Sequence, residues 1–356
     1  MTDAFILGGV RTPFAKYGSS LSHIRADNLL GMVMKGACER VGVGLDQIED
    51  IVAGCVNPAH EGMGDVARWA ALAAGFPDSA AGATINRFCG SSVSATINVA
   101  HAIKAGDLGV GIACGVESMS RSGWAYMKGD AAFAPRGPVL LLDTMWAGAG
   151  GPPNPTLLAR NAYIGMIETA QNVADRFKLT REEIDAFALR SQQHAKAARD
   201  SGRLAKEIMP VQISATKKTP ARTFEHDEFI RDNTTAEQLA ALPVQPGTKQ
   251  MTAANSTPLT DGASAIVLAS GERAAELGVE PLARVVSSAV YGIEAHPQRR
   301  RRGHRPSVRS ERHPVCVDAG DRATRAQRPL RRGRCVRGVG PRCRGHSGKP
   351  QCGLTA

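Results

Sequence analysis

The sequence predicts an α/β layered fold with a largely parallel sheet. In the first 120 residues, short apolar runs typical of buried strands alternate with segments of helical apolar spacing. Strand-like sequence returns after residue 260. Such alternation is typical of a sheet that carries helices on its faces. A chain of 356 residues is long enough for one large core or for about two domains.

The elements of the first part follow from apolar spacing and from glycine positions. Residues 4–10 form an apolar run that ends at Arg11-Thr12-Pro13, which predicts a buried strand. Residues 27–41 have helical apolar spacing, and Gly42 is a plausible stop. The other elements expected here are a strand at 51–53, a helix at 65–75, a strand-like run at 82–86, a helix at 91–105 and a strand at 109–116.

The middle of the chain, residues 120–250, predicts an inserted and partly irregular domain. Prolines and glycines punctuate its first part, and two helices follow. The second helix begins with Thr180-Arg-Glu-Glu183, a capping-box pattern, and Gly202 ends it. The strands expected after it are 208–216 and 222–225, and then 263–270 and 282–290 with a short helix between them.

The positive charge of the chain is concentrated in its last 62 residues. The whole chain has 44 basic and 33 acidic residues, a net charge of +11. Residues 295–356 contain 17 of the basic residues and 3 of the acidic ones, so they carry +14 and the remaining 294 residues carry −3. This excludes a protein that is basic throughout. The tail has no Phe, Trp, Tyr, Ile or Met and two Leu, so we expect it to be disordered.

The cysteine content and the N-terminus bear on the cellular compartment. Eight cysteines in 356 residues are too sparse for a disulfide scaffold, and the N-terminus shows no signal-peptide pattern. No uninterrupted apolar run reaches the roughly 18 residues of a membrane helix. We therefore expect free thiols, no membrane association and a cytoplasmic location.

Cys89 is the strongest candidate for chemistry. It follows the strand-like run and stands just before a predicted helix. The N-terminus of a helix presents unpaired N–H groups and a positive dipole end, which favour thiolate over thiol. Backbone N–H groups of Cys89 and Gly90 could hold an oxyanion. The alternative is a buried structural cysteine, but the flanking sequence favours a covalent nucleophile.

Seven segments together resemble the thiolases, which are acetyl-CoA acyltransferases. They occur in family order over residues 1–294, and each is weak alone. They are Arg11-Thr-Pro-Phe14, Gly54-Cys-Val-Asn57, Asn86-Arg-Phe-Cys-Gly-Ser-Ser92, Gly115-Val-Glu-Ser-Met-Ser120, Glu168-Thr-Ala-Gln-Asn-Val-Ala174, Asp185-Ala-Phe-Ala-Leu-Arg-Ser191 and Met251-Thr-Ala-Ala-Asn-Ser-Thr-Pro-Leu-Thr-Asp-Gly262.

The resemblance implies a thiolase-like layered α-β-α-β-α fold. Residues 1–119 and 251–294 would form the N-terminal half with the nucleophile, and residues 120–250 would be a loop domain that covers coenzyme A. The C-terminal half would be largely absent, because residues 295–356 form the Arg-rich tail. The family is usually oligomeric, so a homo-oligomer is expected, although the missing half weakens that expectation.

The resemblance also implies an activity. Cys89 would attack a 3-ketoacyl-CoA, release acetyl-CoA and hold the shortened acyl chain as a thioester, or run the reverse condensation. Coenzyme A enters as a substrate, with no permanently bound cofactor and no metal. The last segment looks most like degradative 3-ketoacyl-CoA thiolases of fatty acid β-oxidation. In family terms Met166 lies near the acyl pocket and Thr257 contacts coenzyme A. The alternatives are core packing for Met166 and a backbone-capping hydroxyl for Thr257.

The tail has no convincing copy of three motifs that the family carries in its second half: Asn-Glu-Ala-Phe, Gly-His-Pro with the activating histidine, and a late Cys-x-Gly. Cys343-Arg-Gly345 matches the last pattern, but three residues with one free position are a chance match in an Arg-rich tail, so no role is assigned to it. Its Arg, Gly, Pro and Ala content fits an out-of-frame reading of a GC-rich gene, and a genuine basic tail that binds nucleic acid is the less favoured alternative. We expect the chain as written to be impaired, since acid–base groups typically contribute about 10²–10⁴-fold each. The rival functions are a ketoacyl-synthase-like condensing enzyme and a non-catalytic acyl-CoA-binding remnant.

Overall fold

The computed structural model describes residues 2–126, 138, 141–145, 154–160, 165–215, 220–292 and 317–319. The chain divides into two units, residues 1–320 and 321–356, and the second lies outside the described residues. Of the tail, residues 295–356, the structure describes the strand at 317–319, and the expectations for residues 295–316 and 320 also lie outside the described residues.

The described residues contain twelve strands and eight α-helices. The strands are β1 (Ala4–Arg11), β2 (Ala15–Lys16), β3 (Asp50–Gly54), β4 (Ala81–Ile85), β5 (Val110–Ser118), β6 (Trp124–Ala125), β7 (Leu142–Asp143), β8 (Val211–Ile213), β9 (Arg222–Phe224), β10 (Thr260–Ser270), β11 (Ala283–Val285) and β12 (Val317–Ala319). The helices are α1 (Ala26–Val41), α2 (Val66–Ala74), α3 (Ser91–Ala105), α4 (Pro155–Arg160), α5 (Met166–Phe177), α6 (Arg181–Asp200), α7 (Ala236–Ala240) and α8 (Gly271–Glu276).

One mixed sheet organises the fold, with strand order β12-β11-β1-β10-β5-β3-β4 and β2 paired to β10. The pairs β3–β4 and β3–β5 are parallel, as the alternation of strands and helices predicts. The expectation of a largely parallel sheet is nevertheless wrong, because β10 runs antiparallel to both β1 and β5. β10 follows the long inserted region and not a crossover helix, so its direction is not tied to that of β5.

Helices cover both faces of this sheet. Side chains of α1 and α2 pack with β1, β3, β5 and β10 in the larger core, where Leu30, Val33 and Ile112 are buried. On the opposite face α3 packs Val99 and Ile103 against the same strands in a smaller core. The described residues thus form an α-β-α arrangement, which is three of the five layers expected for the fold.

Glycines end the helices of this layer as the sequence predicts. Gly42, Gly75 and Gly106 cap α1, α2 and α3 in the left-handed region, with φ of 71°, 86° and 89°. Each cap N–H donates to carbonyls of the last helical turn, which is the usual role of glycine at this position.

The inserted region contains α4–α7 and two small antiparallel sheets, β6–β7 and β8–β9. The predicted capping box is confirmed: the Thr180 hydroxyl accepts from Glu183 N and the Glu183 carboxylate accepts from Thr180 N. Within the described residues, none of the helices has the length and apolarity needed to cross a membrane.

Candidate active site

Cys89 lies in a tight turn between β4 and α3. Because β3 and β4 are parallel, this turn leaves the sheet at the carboxyl ends of the strands, as does the segment that follows β3. The Cys89 thiol is exposed, whereas Cys38, Cys55 and Cys114 are buried. Gly90 is the N-cap of α3, so the prediction that the cysteine precedes a helix N-terminus is confirmed.

Side chains fix the backbone of this turn. Asn86 Oδ1 accepts from Phe88 N at 2.9 Å, and Ser91 Oγ donates to Phe88 O at 2.6 Å. Ser91 Oγ also accepts from Arg87 N at 2.8 Å. Phe88 adopts φ 48°, a left-handed conformation that is uncommon for a bulky residue. The hydrogen bonds hold this strained residue immediately before Cys89, and Phe88 is 74% exposed.

The expected oxyanion groups are the backbone N–H groups of Cys89 and Gly90. Gly90 N donates to the carbonyl oxygen of Arg87 at 3.1 Å. An oxyanion at this position would either share the Gly90 N–H with the Arg87 carbonyl oxygen or replace that oxygen as the acceptor. The sequence alone gives no sign of this bond.

The three buried thiols are poor candidates for a nucleophile. Burial raises the pKa of the Cys38 and Cys55 thiols to about 12 from their ordinary value of 9.0. Burial also raises the pKa of Cys114. These three thiols stay protonated and covered near neutral pH, and a covalent nucleophile must be accessible and able to ionise.

A partly buried acid on β5 binds the segment that follows β3. Glu117, near the end of β5, accepts from Val56 N at 2.8 Å and from Asn57 N at 3.2 Å. Burial raises the pKa of Glu117, although these two backbone donors lower it in part. Sequence reasoning did not single out Glu117, because its partners lie about 60 residues away.

A second cluster ties the inserted region to the segment before β10. Asp185 on α6 accepts from Asn255 Nδ2 at 2.9 Å and from Arg181 Nε at 2.6 Å. Gln171 on α5 accepts from Lys249 N at 2.8 Å. Three of the seven segments noted in the sequence therefore meet here, and their side chains hold the loop that leads to Thr257.

The two predicted substrate-binding residues lie on exposed surfaces. Met166 is the first residue of α5 and is 72% exposed, so within the described residues it is not a core residue. Thr257 is exposed, and its hydroxyl makes no hydrogen bond in the part of the chain that the structure describes. The hydrogen bonds around Cys89 involve neither residue.

A cavity of about 350 Å³ lies in the inserted region. Its lining combines a cation, amides and aliphatic side chains: Arg231, Asn233, Thr234, Gln238, Leu239, Leu242 and Ala254. The Thr234 hydroxyl is buried without a hydrogen-bond partner. Such an orphan is uncommon in a folded protein. No cluster of His, Cys, Asp or Glu in the described ranges could hold a metal ion.

The sequence of residues 4–272 matches the model of the thiolase N-terminal domain. This range includes the Cys89 turn, the inserted region and β10. The chain belongs to the thiolase family. It is accordingly an acyl-CoA acyltransferase, as the seven segments predict, and coenzyme A is a substrate of the family with no permanent cofactor.

Characterised relatives support this assignment. The chain is 41% identical over 296 residues to a 3-oxoadipyl-CoA/3-oxo-5,6-dehydrosuberyl-CoA thiolase of Escherichia coli strain K12, covering 83% of this chain and 73% of the relative. It is 40% identical over 324 residues to a β-ketoadipyl-CoA thiolase of Pseudomonas aeruginosa, covering 90% of this chain and 79% of that protein.

Solved thiolase structures share the fold. The acetyl-CoA acetyltransferase of Bacillus anthracis superposes with a TM-score of 0.71 at 34% identity, over 80% of this chain and 70% of that one. Human mitochondrial 3-ketoacyl-CoA thiolase in complex with CoA gives a TM-score of 0.70 at 30% identity, over 80% and 69%. The predicted thiolase-like α/β fold is confirmed.

Proposed function

We propose that Cys89 is the nucleophile of a two-step thiolysis. Its thiolate attacks the 3-keto carbonyl carbon of a 3-ketoacyl-CoA, and the C2–C3 bond breaks. The electron pair of that bond leaves with C2 and takes up the proton given by the thiol, which yields acetyl-CoA. The shortened acyl group stays on Cys89 as a thioester until the thiol of free coenzyme A attacks it and restores the Cys89 thiol. The backbone N–H groups of Cys89 and Gly90 would stabilise the oxyanion.

One observation carries this proposal: Cys89 is the exposed thiol among the four described cysteines, and it stands at the helix N-terminus that favours an anion. The test is to incubate the purified chain with acetoacetyl-CoA and to map acetylated peptides by mass spectrometry. We expect an acetyl group on Cys89 that Cys89→Ala abolishes and Cys38→Ala, a buried-thiol control, retains. Binding of acetoacetyl-CoA without acetylation would favour the acyl-CoA-binding remnant.

We further propose that the cavity beside α7 receives a phosphate-bearing part of coenzyme A. Arg231 offers a guanidinium that pairs with no described carboxylate, Thr234 offers a buried unpartnered hydroxyl, and Leu239 offers apolar surface. Thr257, three residues beyond Ala254 of the lining, would contact the same molecule, and Met166 would lie near the acyl chain. Residues 120–250 would act as the loop domain that covers the cofactor-like substrate.

The cavity proposal predicts a defect in coenzyme A binding. Because an Arg–phosphate hydrogen bond is charge-assisted, Arg231→Ala should weaken coenzyme A binding roughly tenfold in isothermal titration. Lys35→Ala removes an exposed cation on α1 and serves as the matched control. Equal affinity in both variants would reject this cavity as the site.

The substrate class that the relatives favour is a dicarboxylic 3-ketoacyl-CoA. The expectation from the sequence was fatty acid β-oxidation, but the two relatives described above are named for 3-oxoadipyl-CoA or β-ketoadipyl-CoA. We therefore propose 3-oxoadipyl-CoA as the substrate. Cys89 should be acylated faster by 3-oxoadipyl-CoA than by acetoacetyl-CoA. The reverse order would return the assignment to monocarboxylic substrates.

The remaining expectations stay predictions. They are the division into residues 1–119 with 251–294, 120–250 and 295–356, the homo-oligomer, the cytoplasmic location and the out-of-frame origin of the tail. Translating the coding DNA from about codon 290 in the other two frames tests the last of these. Asn-Glu-Ala-Phe, Gly-His-Pro and Cys-x-Gly in that order would support a frameshift, and their absence would refute it.

A further inference from the structure

The turn that carries Cys89 is tied to the segment after β3 by one side chain. Asn86 Nδ2 donates to Val56 O at 2.8 Å, while Asn86 Oδ1 accepts from Phe88 N at 2.9 Å. Asn86 therefore joins Val56 to the strained residue that immediately precedes Cys89. Any shift of the Val56 carbonyl would be passed to the Cys89 turn through this amide.

Val56 is itself held by a charged group. The Glu117 carboxylate accepts from Val56 N at 2.8 Å and from Asn57 N at 3.2 Å. The line of hydrogen bonds therefore runs from Glu117 to Val56, then to Asn86, and then to Phe88. It spans the carboxyl ends of β5, β3 and β4, three neighbouring strands of the sheet.

Holding these two N–H groups with a buried carboxylate costs desolvation free energy. Burial opposes its ionisation and raises the pKa of Glu117. In return, an ionised carboxylate accepts through both oxygens, and each of its hydrogen bonds to N–H is stronger than a neutral one. A neutral amide in its place could accept from one of the two N–H groups and would turn its own NH₂ towards the other.

A matching arrangement at the other end of the same strands provides a comparison. Glu49 accepts from Gly109 N at 3.2 Å and from Val110 N at 2.9 Å. It therefore anchors the start of β5 beside the start of β3 with the same chemistry. It lies at the opposite end of these strands from the segment that Asn86 contacts.

We propose that Glu117 is a positioning residue for Cys89, acting through Val56 and Asn86 to fix the turn that presents the thiol. The inference rests on the proposed role of Cys89 as the nucleophile. Glu117 touches no reacting atom in this scheme. Its contribution is to keep the Cys89 turn in one conformation, so that the thiol does not have to find its orientation during each reaction.

The experiment compares three variants of the full chain: Glu117→Gln, Asn86→Ala and the control Glu49→Gln. The first readout is amide hydrogen exchange in the peptide that spans residues 86–92. Breaking this line of hydrogen bonds, at the charged acceptor in Glu117→Gln or at the amide in Asn86→Ala, should speed exchange there roughly tenfold. Exchange in this peptide should stay at the wild-type rate in Glu49→Gln.

The second readout is the single-turnover rate of Cys89 acetylation by acetoacetyl-CoA. The maximum rate should fall roughly ten- to a hundredfold in Glu117→Gln and Asn86→Ala. The acetoacetyl-CoA concentration at half-maximal rate should be unchanged, because neither side chain lines the proposed coenzyme A cavity. A variant that is merely less stable would lower the melting temperature without this split between rate and half-saturation.

The outcomes separate this inference from the proposed function. Wild-type exchange at 86–92 in Glu117→Gln, or equal changes in all three variants, would overturn the inference. If Glu117→Gln does not fold, Asn86→Ala decides, since Asn86 is exposed and its loss removes the two hydrogen bonds that join Val56 to the Cys89 turn. If wild-type Cys89 is never acetylated, the proposed function fails, and the exchange data alone judge whether Glu117 fixes the turn.

Discussion

Replacing Gly54 with alanine would press the end of β3 against the first turn of α3. A Cβ at this position would lie 2.5 Å from Ser91 C and 2.8 Å from Ser91 Cβ, and closer still to Ser92 N. Ordinary contact begins at 3.4 Å, so the strand and the helix would have to separate by about 1 Å. Two of the three atoms belong to backbone, so rotation of a side chain cannot relieve the clash.

The expected cost is set by this forced separation. Overpacking a close contact typically costs about 1–3 kcal/mol of unfolding free energy. The displaced turn also carries Cys89, and a misplacement of about 1 Å can cost about 10²-fold in rate. Gly54→Ala should therefore lower both the stability of the chain and the rate of Cys89 acetylation.

Urea unfolding and the acetylation assay measure the two effects. Gly292→Ala is the control, because a Cβ at Gly292 would meet nothing within 4 Å, and it should match the wild type in both assays. If Gly54→Ala unfolds at the wild-type urea concentration and is acetylated at the wild-type rate, the close approach of β3 to α3 is not what places Cys89.

Three further predictions concern thiols and helix capping. Iodoacetamide should label Cys89 in the native chain, while the buried thiols of Cys38, Cys55 and Cys114 should react only after unfolding. Peptide mass mapping measures the labelling, and native labelling of any of the three buried thiols would contradict the structure. Thr180→Ala should lower the unfolding free energy by about 1 kcal/mol in urea unfolding, because the capping box of α6 is lost. Ser201→Ala, at the other end of α6, should lower it by less than half of that. Equal losses in the two variants would argue against a stabilising role of the cap. Unfolding free energy should decrease as pH rises above about 9, because unfolded thiols ionise near 9.0 while native Cys38 holds its proton up to about pH 12. Cys38→Ala should make this decrease shallower by about 1.4 kcal/mol per pH unit, and an unchanged slope would contradict the raised pKa.

The parts of the fold that local sequence determines could be predicted. Gly42 and Gly75 end their helices because a left-handed cap needs only the glycine itself and the preceding turn. Cys89 could be placed before a helix for the same reason, since a strand-like run and a helical pattern flank it directly.

The parts of the fold and of the site that depend on partners distant in sequence could not be predicted. The predicted strand 282–290 is only three residues long in the structure, Ala283–Val285. Val285 is buried, but Leu282 is 62% and Val290 is 52% exposed, so the rest of the apolar run does not pair in the sheet. Glu117 resembles any polar residue near the end of a strand until the β3–β5 pairing brings Val56 to it. Asp185 and Asn255 meet across about 70 residues in the same way.

The position of β1 also has a consequence for synthesis on the ribosome. β1 is made long before its sheet neighbours β10 and β11, which begin at residues 260 and 283. At roughly 5–20 residues per second, β1 emerges about 10–50 s before β10 does. During that time β1 has no partner on either side, and its apolar residues and backbone groups are free to pair with another nascent chain. A chaperone that shields β1 during synthesis should therefore increase the soluble yield more than one that acts on the finished chain.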